Sequence, residues 1–510
     1  MLPPVGAPAG PLDPAIEEDP RALYVLGLVG LRAGHLDEAI YLLREALRRD
    51  PTHEGAQRNL VRALLAAGRA TETLAAADDA CAAQPDSAEL HFARGTALNA
   101  LRQPAAACAA LERSVALDPE FAPAWLNLGN ACADLDDWTA AEAHVRRAVT
   151  LDPTLAEAQA SLGYLLTVQG RLAEAEAACD AAIAVRPDLV QAHWNRAVAA
   201  LLAGDLPRGF AGYEWRKKHD RFRHDFIGLP GPVWTGDDPV GRTILVHAEQ
   251  GFGDTIQFAR YLAQIADRGG HPVLACDRVL VPLFAGMAGV DVVARGTALP
   301  PYDAWIDQMS LPLRFGTTLD SIPCPEGYLR ADPCRVARWE AMLPAEWRVG
   351  LAWAGNALHN NDRRRSLTPA LLGPLLAVPG VTFVNLQVGP RATSVPGLRD
   401  LSPWLVDYAE TAALIACLDL VIAVDTSVVH VAGALGVPAW VLLPHAPDWR
   451  WLLGRADSPW YRSLRLFRQP APGDWPAVIA EVVAALRAGE ARWRAKHGDD
   501  GNPLVRSQFP

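Results

Sequence analysis

The spacing of small and apolar residues changes once along the chain, near Gly241. Before it, small residues recur in register where the two helices of a hairpin must touch: Gly27, Gly95, Gly129 and Gly163 on a first helix, Ala39, Ala107, Ala141 and Ala175 on a second. Gly34, Gly68, Gly170 and Gly204 mark turns between paired helices. After it, short apolar runs alternate with amphipathic helical stretches, which implies βαβ units and a parallel sheet.

Prolines 51, 85, 119, 153 and 187 each follow the last by 34 residues, the period of the tetratricopeptide unit. The unit is clearest from Ala122 to Pro153, with Trp125, Leu128, Gly129, Ala141 and Ala148 in place. It is weakest from Glu54 to Pro85, where Val61 and Thr73 replace small residues. Residues 20–220 therefore resemble the tetratricopeptide repeat family. Stacked helix pairs of this kind form a superhelix whose concave surface holds a peptide or partner protein, or serve as a spacer. Arg208, Gly209, Tyr213, Trp215 and Arg216 break the pattern and read as a capping segment that docks onto the next domain. A fragment of residues 1–225 is expected to fold alone.

In the second half, Thr243–Ala248, Pro272–Cys276 and Val290–Ala294 read as strands of a first lobe. The run from Arg348, Val381–Leu386, Leu420–Val424 and Ala439–Leu443 read as strands of a second. Asp474 is placed to cap a last helix ending near Arg487. Two doubly wound lobes leave a cleft lined by the loops at the carboxyl ends of their strands.

Three such loops carry unusual chemistry. Gly251-Phe252-Gly253-Asp254 lets backbone approach a ligand; it lacks the third glycine of a dinucleotide fingerprint, and Asp254 is either a helix cap or a catalytic base. Ala354–Leu367 gathers Asn356, Asn360, Asn361, Arg363, Arg364 and Arg365, guanidinium groups that match a phosphate bidentately. Val424–His430 ends a strand at Asp425 and opens a helix with Thr426 and Ser427, whose free N–H groups suit a diphosphate; His430 follows one turn in. Beyond it, Trp449, Trp451 and Trp460 with Asp448 and Arg450 read as core or as a wall for a sugar or base.

Composition narrows the field. The net charge of −11 argues against nucleic acid as the main partner, and no run of apolar residues reads as a membrane span. The eight scattered cysteines form no CxxC pair and no zinc-ligand spacing, and residues 1–19 carry no basic region before an apolar run. A reduced, cytoplasmic protein with a disordered leader (1–19) and a flexible tail (491–510) is the resulting expectation.

Residues 241–490 resemble the lipopolysaccharide heptosyltransferase-type family (glycosyltransferase family 9), on Val424–Pro438 (VDTSVVHVAGALGVP) and the Gly-x-Gly-Asp segment ending at Asp254. Ser427 stands where that family has Gly, and an arginine of the 363–365 run would replace its donor-phosphate lysine. Repeats followed by such a domain also resemble the O-linked N-acetylglucosamine transferases. The resemblance implies a two-lobed GT-B fold, with an acceptor-side lobe over 241–345 and a nucleotide-sugar lobe over 346–490. It implies an inverting, metal-independent glycosyltransferase without a cofactor, using a nucleotide-diphosphate sugar. Asp254 would be the base, His430 and the arginines would stabilise the leaving phosphate, and the repeats would recruit the acceptor or a partner. The competing readings are an inactive scaffold and a nucleotide-sugar epimerase.

Overall fold

The computed structural model describes residues 17–226, 228–323, 326–359 and 361–497, so most of the expected leader, Cys324 and Asn360 lie outside the described residues. Packing divides the chain into two compact units, Met1–Asn195 and Arg196–Pro510. The division falls inside a helix rather than at residue 220.

The first unit is a run of helix pairs: α1 (Pro20–Ala33) with α2 (Leu36–Arg49), α3 (Glu54–Ala66) with α4 (Ala70–Ala83), and α5 (Ala88–Ala100) with α6 (Pro104–Leu117). Then come α7 (Ala122–Asp134) with α8 (Trp138–Leu151), α9 (Ala156–Val168) with α10 (Leu172–Val185), and the start of α11 (Val190–Ala203). The register glycines make the close contacts within pairs. Gly27 lies against Leu43, Gly95 against Leu111, Gly129 against Val145 and Gly163 against Cys179, and a Cβ there would stand 2.4–2.8 Å from that side chain. The weak second pair exchanges the sizes, with Val61 on the first helix and Ala77 on the second, both buried in one cluster. Thr73 is tolerated because its hydroxyl donates to the Arg69 carbonyl at 3.0 Å.

The periodic prolines have a further role. Gln57 Nε2, His91 Nε2, Trp125 Nε1 and His193 Nε2 lie 2.8–2.9 Å from the carbonyl oxygens of Pro51, Pro85, Pro119 and Pro187. Each contact ties a first helix to the turn that precedes it.

In the second unit, α12 (Leu206–Tyr213) leads through 3₁₀ turns at Glu214–Lys218 and Asp220–Asp225 into two parallel sheets. The first contains β1 (Thr243–His247), β2 (His271–Cys276), β3 (Asp291–Ala294) and β4 (Ala304–Asp307) in the order β3-β2-β1-β4. The second contains β5 (Trp347–Ala352), β6 (Val381–Asn385), β7 (Leu398–Arg399), β8 (Leu420–Val424), β9 (Ala439–Leu443) and β10 (Leu464–Arg468), in the order β10-β9-β8-β5-β6-β7. Sequence reading missed β4, β7 and β10. The first two are only four and two residues long, and β10 is an edge strand that alternates buried Leu464 and Leu466 with exposed Arg465. Strand order reverses between β1 and β4 in one sheet and between β5 and β8 in the other. Loops leave such a switch point in opposite directions and open a crevice.

Arg216 explains why the packing boundary precedes the expected one. Its side chain is fully buried, and it donates to both Glu249 oxygens at 2.6 and 2.8 Å, to Glu214 at 2.8 Å and to Ser310 at 2.9 Å. Lys217 adds contacts of 3.0 Å to Glu214 and to Asp307 at the end of β4. The segment read as a cap is thus built into the first sheet, and a fragment ending at 225 would strand these charges. Asp474 caps the last helix at the Ala477 N–H (3.1 Å). That helix, Trp475–His497, passes the expected end near Arg487 and enters the expected tail; its one proline, Pro476, sits in the first turn where it is tolerated, and beyond Arg487 it holds no proline and one glycine, Gly489. No helix among the described residues is long and apolar enough to cross a membrane.

One prediction concerns the turns. Gly34, Gly68, Gly170 and Gly204 adopt positive φ, and Arg102 (φ 60°) and Asp136 (φ 66°) hold the equivalent places in the third and fourth pairs. A side chain in that region costs about 1–2 kcal/mol, partly offset by glycine's greater freedom when unfolded. Arg102→Gly and Asp136→Gly should each stabilise the repeats by up to about 1 kcal/mol in urea unfolding followed by circular dichroism. A loss of stability in both variants would show that these side chains relieve their own strain.

Candidate functional site

The loop after β1 enters α13 (Phe252–Phe258) directly, so Asp254 occupies the third position of the helix rather than the place before it. One carboxylate oxygen, Oδ2, accepts the Gly251 N–H at 2.8 Å and closes the first turn. The other, Oδ1, accepts from Arg450 Nη2. One turn along the same face, Gln257 Oε1 accepts from Arg450 Nε at 2.7 Å. Asp448 Oδ1 takes both Arg450 Nη1 (2.8 Å) and its backbone N–H (3.0 Å). Arg450 is buried and lies over the Trp449 ring at 4.3 Å. Its guanidinium therefore joins the loop after β9 to the helix after β1.

Burial raises the Asp254 carboxyl above its ordinary range although Arg450 pulls it down, and the side chain keeps 20% of its surface exposed. Asp425, just past β8, is pushed up to about 6 by burial and by Asp448, against Arg365 and Arg450. Asp448 itself is held low: burial opposes ionisation, but the Arg450 guanidinium and N–H outweigh it.

A second helix N-terminus faces this group. In α14 (Ser427–Leu435), Thr426 is the N-cap, accepting the Val428 N–H at 3.2 Å, and Ser427 Oγ lies 2.6 Å from the Tyr408 hydroxyl. A Cβ on Gly253 would stand 2.8 Å from His430 Cδ2 and 3.5 Å from Ser427 Cα, so that glycine lets α13 and α14 meet. His430 is buried, stacked on Trp451 (centroids 5.7 Å apart), and its Nδ1 is 3.1 Å from the Tyr461 hydroxyl. Tyr328 donates to the Ile256 carbonyl at 2.6 Å, and its hydroxyl lies 3.5 Å from that of Tyr461. Burial and Arg450 push His430 down to about 3. The ring is neutral near pH 7, with a single N–H, and its Cδ2–Nε2 edge faces Gly253. His430 thus offers hydrogen bonding rather than positive charge.

The arginine run divides. Arg365 folds back over Gly355, where a Cβ would stand 2.5 Å from its Nη2, with 14% of its side chain exposed, and its charge acts on Asp425, Asp254 and His430. Arg363 is exposed, and Arg364 is half-buried. Exposed Asn356 shapes its loop by accepting the Leu358 N–H at 3.0 Å. Trp449 presents no open wall: it is 4% exposed, packed edge-on against Phe210 (5.6 Å), Tyr213 and Trp460. Trp451 and Trp460 are buried too.

Sequence reading missed several members of the group. Gln257 follows Asp254 by three residues, the spacing of one helical face, and that signal was available. His359 is pushed down to about 4 by burial and by Arg365. Gln250 adopts φ 62°, with its N–H on Asp225 (3.2 Å) and its side chain 3.3 Å from the Tyr213 hydroxyl; no local pattern marks that contact.

Comparison with known proteins bears on the repeats. Models described as tetratricopeptide repeat match residues 31–95, 92–156 and 161–213. The N-terminal region is a tetratricopeptide repeat solenoid. Protein FlbA of Caulobacter vibrioides is 32% identical over 327 residues, 57% of this chain. The chain spans 54%, about half, of that relative's length. Among solved structures, a thermophilic TPR protein of Thermus thermophilus is 25% identical, with 36% of this chain and 99% of that one covered and a TM-score of 0.32. YrrB, a TPR protein with an unusual peptide-binding site, is 22% identical, with 34% and 91% covered and a TM-score of 0.30.

The shifted groups make a prediction about pH. The unfolded chain protonates His430 near its ordinary value of about 6.5 while the folded chain does not, so this group removes stability as pH falls from about 6.5 toward 3. Asp425 acts oppositely, because its folded value of about 6 lies above the ordinary one; its contribution is present in acid and lost as pH rises through 6. In urea unfolding between about pH 4 and pH 7, the stability gap between parent and His430→Gln should shrink on acidification, and that between parent and Asp425→Asn should grow. Parallel pH profiles for all three proteins would contradict the assignment.

Proposed function

We propose that residues 241–490 form a GT-B-type glycosyltransferase that moves a sugar from a nucleotide-diphosphate donor to an acceptor hydroxyl with inversion. The observation that carries this reading is the meeting of two helix N-termini, α13 and α14, at switch-point loops around Asp254, with Gly253 packed on His430. The diphosphate would lie at the start of α14, where Ser427 and the following N–H groups and the Arg365 guanidinium offset its charge. The acceptor hydroxyl would give its proton to Asp254 as its oxygen bonds to the anomeric carbon. The carbon–phosphate oxygen bond would break with its electron pair leaving on the diphosphate. His430, neutral, would donate one hydrogen bond, and neither step calls on a metal ion. The repeats would recruit the acceptor or a partner protein, and YrrB's peptide-binding site is a precedent for that use of the fold.

One observation favours the non-catalytic alternative. Both Asp254 oxygens are already engaged, by Gly251 and by Arg450. A working base needs a remaining lone pair aimed at the acceptor, whereas a scaffold needs only the contacts in place.

Asp254→Asn separates the two. The amide oxygen still accepts the Gly251 N–H but cannot take a proton, so single-turnover transfer should fall by about 10²-fold or more with nucleotide-diphosphate affinity retained. Arg365→Ala should instead weaken binding in isothermal titration. Equal transfer rates for parent and Asp254→Asn would return Asp254 to a purely structural role. No transfer by the parent across a panel of nucleotide sugars and acceptors would favour the scaffold.

A further inference from the structure

The thiols of Cys108 and Cys132 face each other in the solenoid, with Sγ atoms 3.9 Å apart. Cys108 lies on α6, the second helix of the third pair, and Cys132 on α7, the first helix of the fourth. The two side chains therefore span the interface between successive pairs, where the stacking that sets a solenoid's curvature is decided. Leu74 with Leu98 and Ile40 with Leu64 hold the equivalent places one and two units earlier, so two cysteines here replace larger aliphatic side chains, a packing role that cysteine can also serve. Packing alone does not call for two sulfurs in contact.

We propose that Cys108 and Cys132 form a reversible disulfide that locks the third pair onto the fourth. A disulfide requires a sulfur separation of about 2.05 Å, and sulfurs in van der Waals contact on adjacent helices close that gap by side-chain rotation. Exposure sets the order of events. Cys108 is partly buried and Cys132 only 8% exposed, so Cys108, the more accessible, meets the oxidant and Cys132 resolves it.

With a low-molecular-weight disulfide such as oxidised glutathione, the Cys108 thiolate attacks one sulfur, forming a mixed disulfide and releasing one glutathione thiolate. The Cys132 thiolate then attacks the Cys108 sulfur and expels the second. Two protein thiols and one glutathione disulfide become one protein disulfide and two glutathione thiols, so electrons and protons balance. Burial pushes Cys132 up to about 12 and raises Cys108 as well, which makes both steps faster at alkaline pH and slow near neutrality.

Trypsin separates the two residues, with Cys108 on Gln103–Arg113 and Cys132 on Ser114–Arg146. The folded full-length chain is exposed to oxidised glutathione, blocked with N-ethylmaleimide, digested without reduction and read by mass spectrometry. The expected product is Gln103–Arg113 joined to Ser114–Arg146, lighter than the two peptides by two hydrogens and lost on adding dithiothreitol. Cys132→Ser should instead trap Cys108 as its glutathione adduct. Three results overturn the proposal: parent Cys108 accumulating the same adduct as the variant, a link that forms only in urea, or both thiols recovered as maleimide adducts while exposed Cys334 is glutathionylated.

Discussion

The second unit's polar centre depends on one guanidinium. Arg450 is fixed at all three nitrogens, to Gln257 and Asp254 on the helix after β1 and to Asp448 on the loop after β9. A buried arginine with that many partners is costly to strand: removing it leaves Asp254 and Asp448 as uncompensated charges in a site already holding Asp425. The same contacts fix where the carboxylates point. Arg450 thus turns loops from two different sheets into one site, and the ionisation of Asp254, Asp448 and Asp425 follows from where its charge falls.

Arg216 plays the corresponding part for the start of the unit. It lies fully buried between Glu249, Glu214 and Ser310, and burial holds Glu249 above its usual range despite the pairing. Glu249 immediately precedes Gln250 and Gly251, so the segment after the repeats and the loop carrying Asp254 share one hydrogen-bonded foundation. A chain cut before Arg216 would lose that foundation, which makes residues 196–226 part of the α/β unit in physical terms even though the repeat pattern runs to residue 213.

Legibility in the sequence followed repetition and burial. The solenoid was readable because each constraint recurs: a glycine against Leu43, Leu111, Val145 or Cys179, and a proline carbonyl met by Gln57, His91, Trp125 or His193. Even the weak pair proved regular once Val61 and Ala77 were seen to trade volumes. Central strands such as β5 and β8 were readable because they are buried throughout, whereas β4, β7 and β10 are short or at an edge. The site was legible as loops but not as contacts. Asp254, Asp425 and His430 stand out beside glycines and strand ends, yet the partner of Asp254 lies 196 residues away and no local pattern announces it. Arg450 and Trp449 looked like a ligand wall for that reason, and the neutrality of His430 could not be read because burial depth is invisible in a single sequence.

The central claim is that the switch-point loops of both sheets, drawn together by Arg450, make a single site for a nucleotide diphosphate. Hydrogen–deuterium exchange of the full-length chain, with and without saturating uridine or adenosine diphosphate, tests it most directly. Slowed exchange is predicted together in residues 249–255, 353–367 and 425–430, with the repeats unchanged. Protection confined to the repeats, or absent from all three loops with every nucleotide tried, would contradict it.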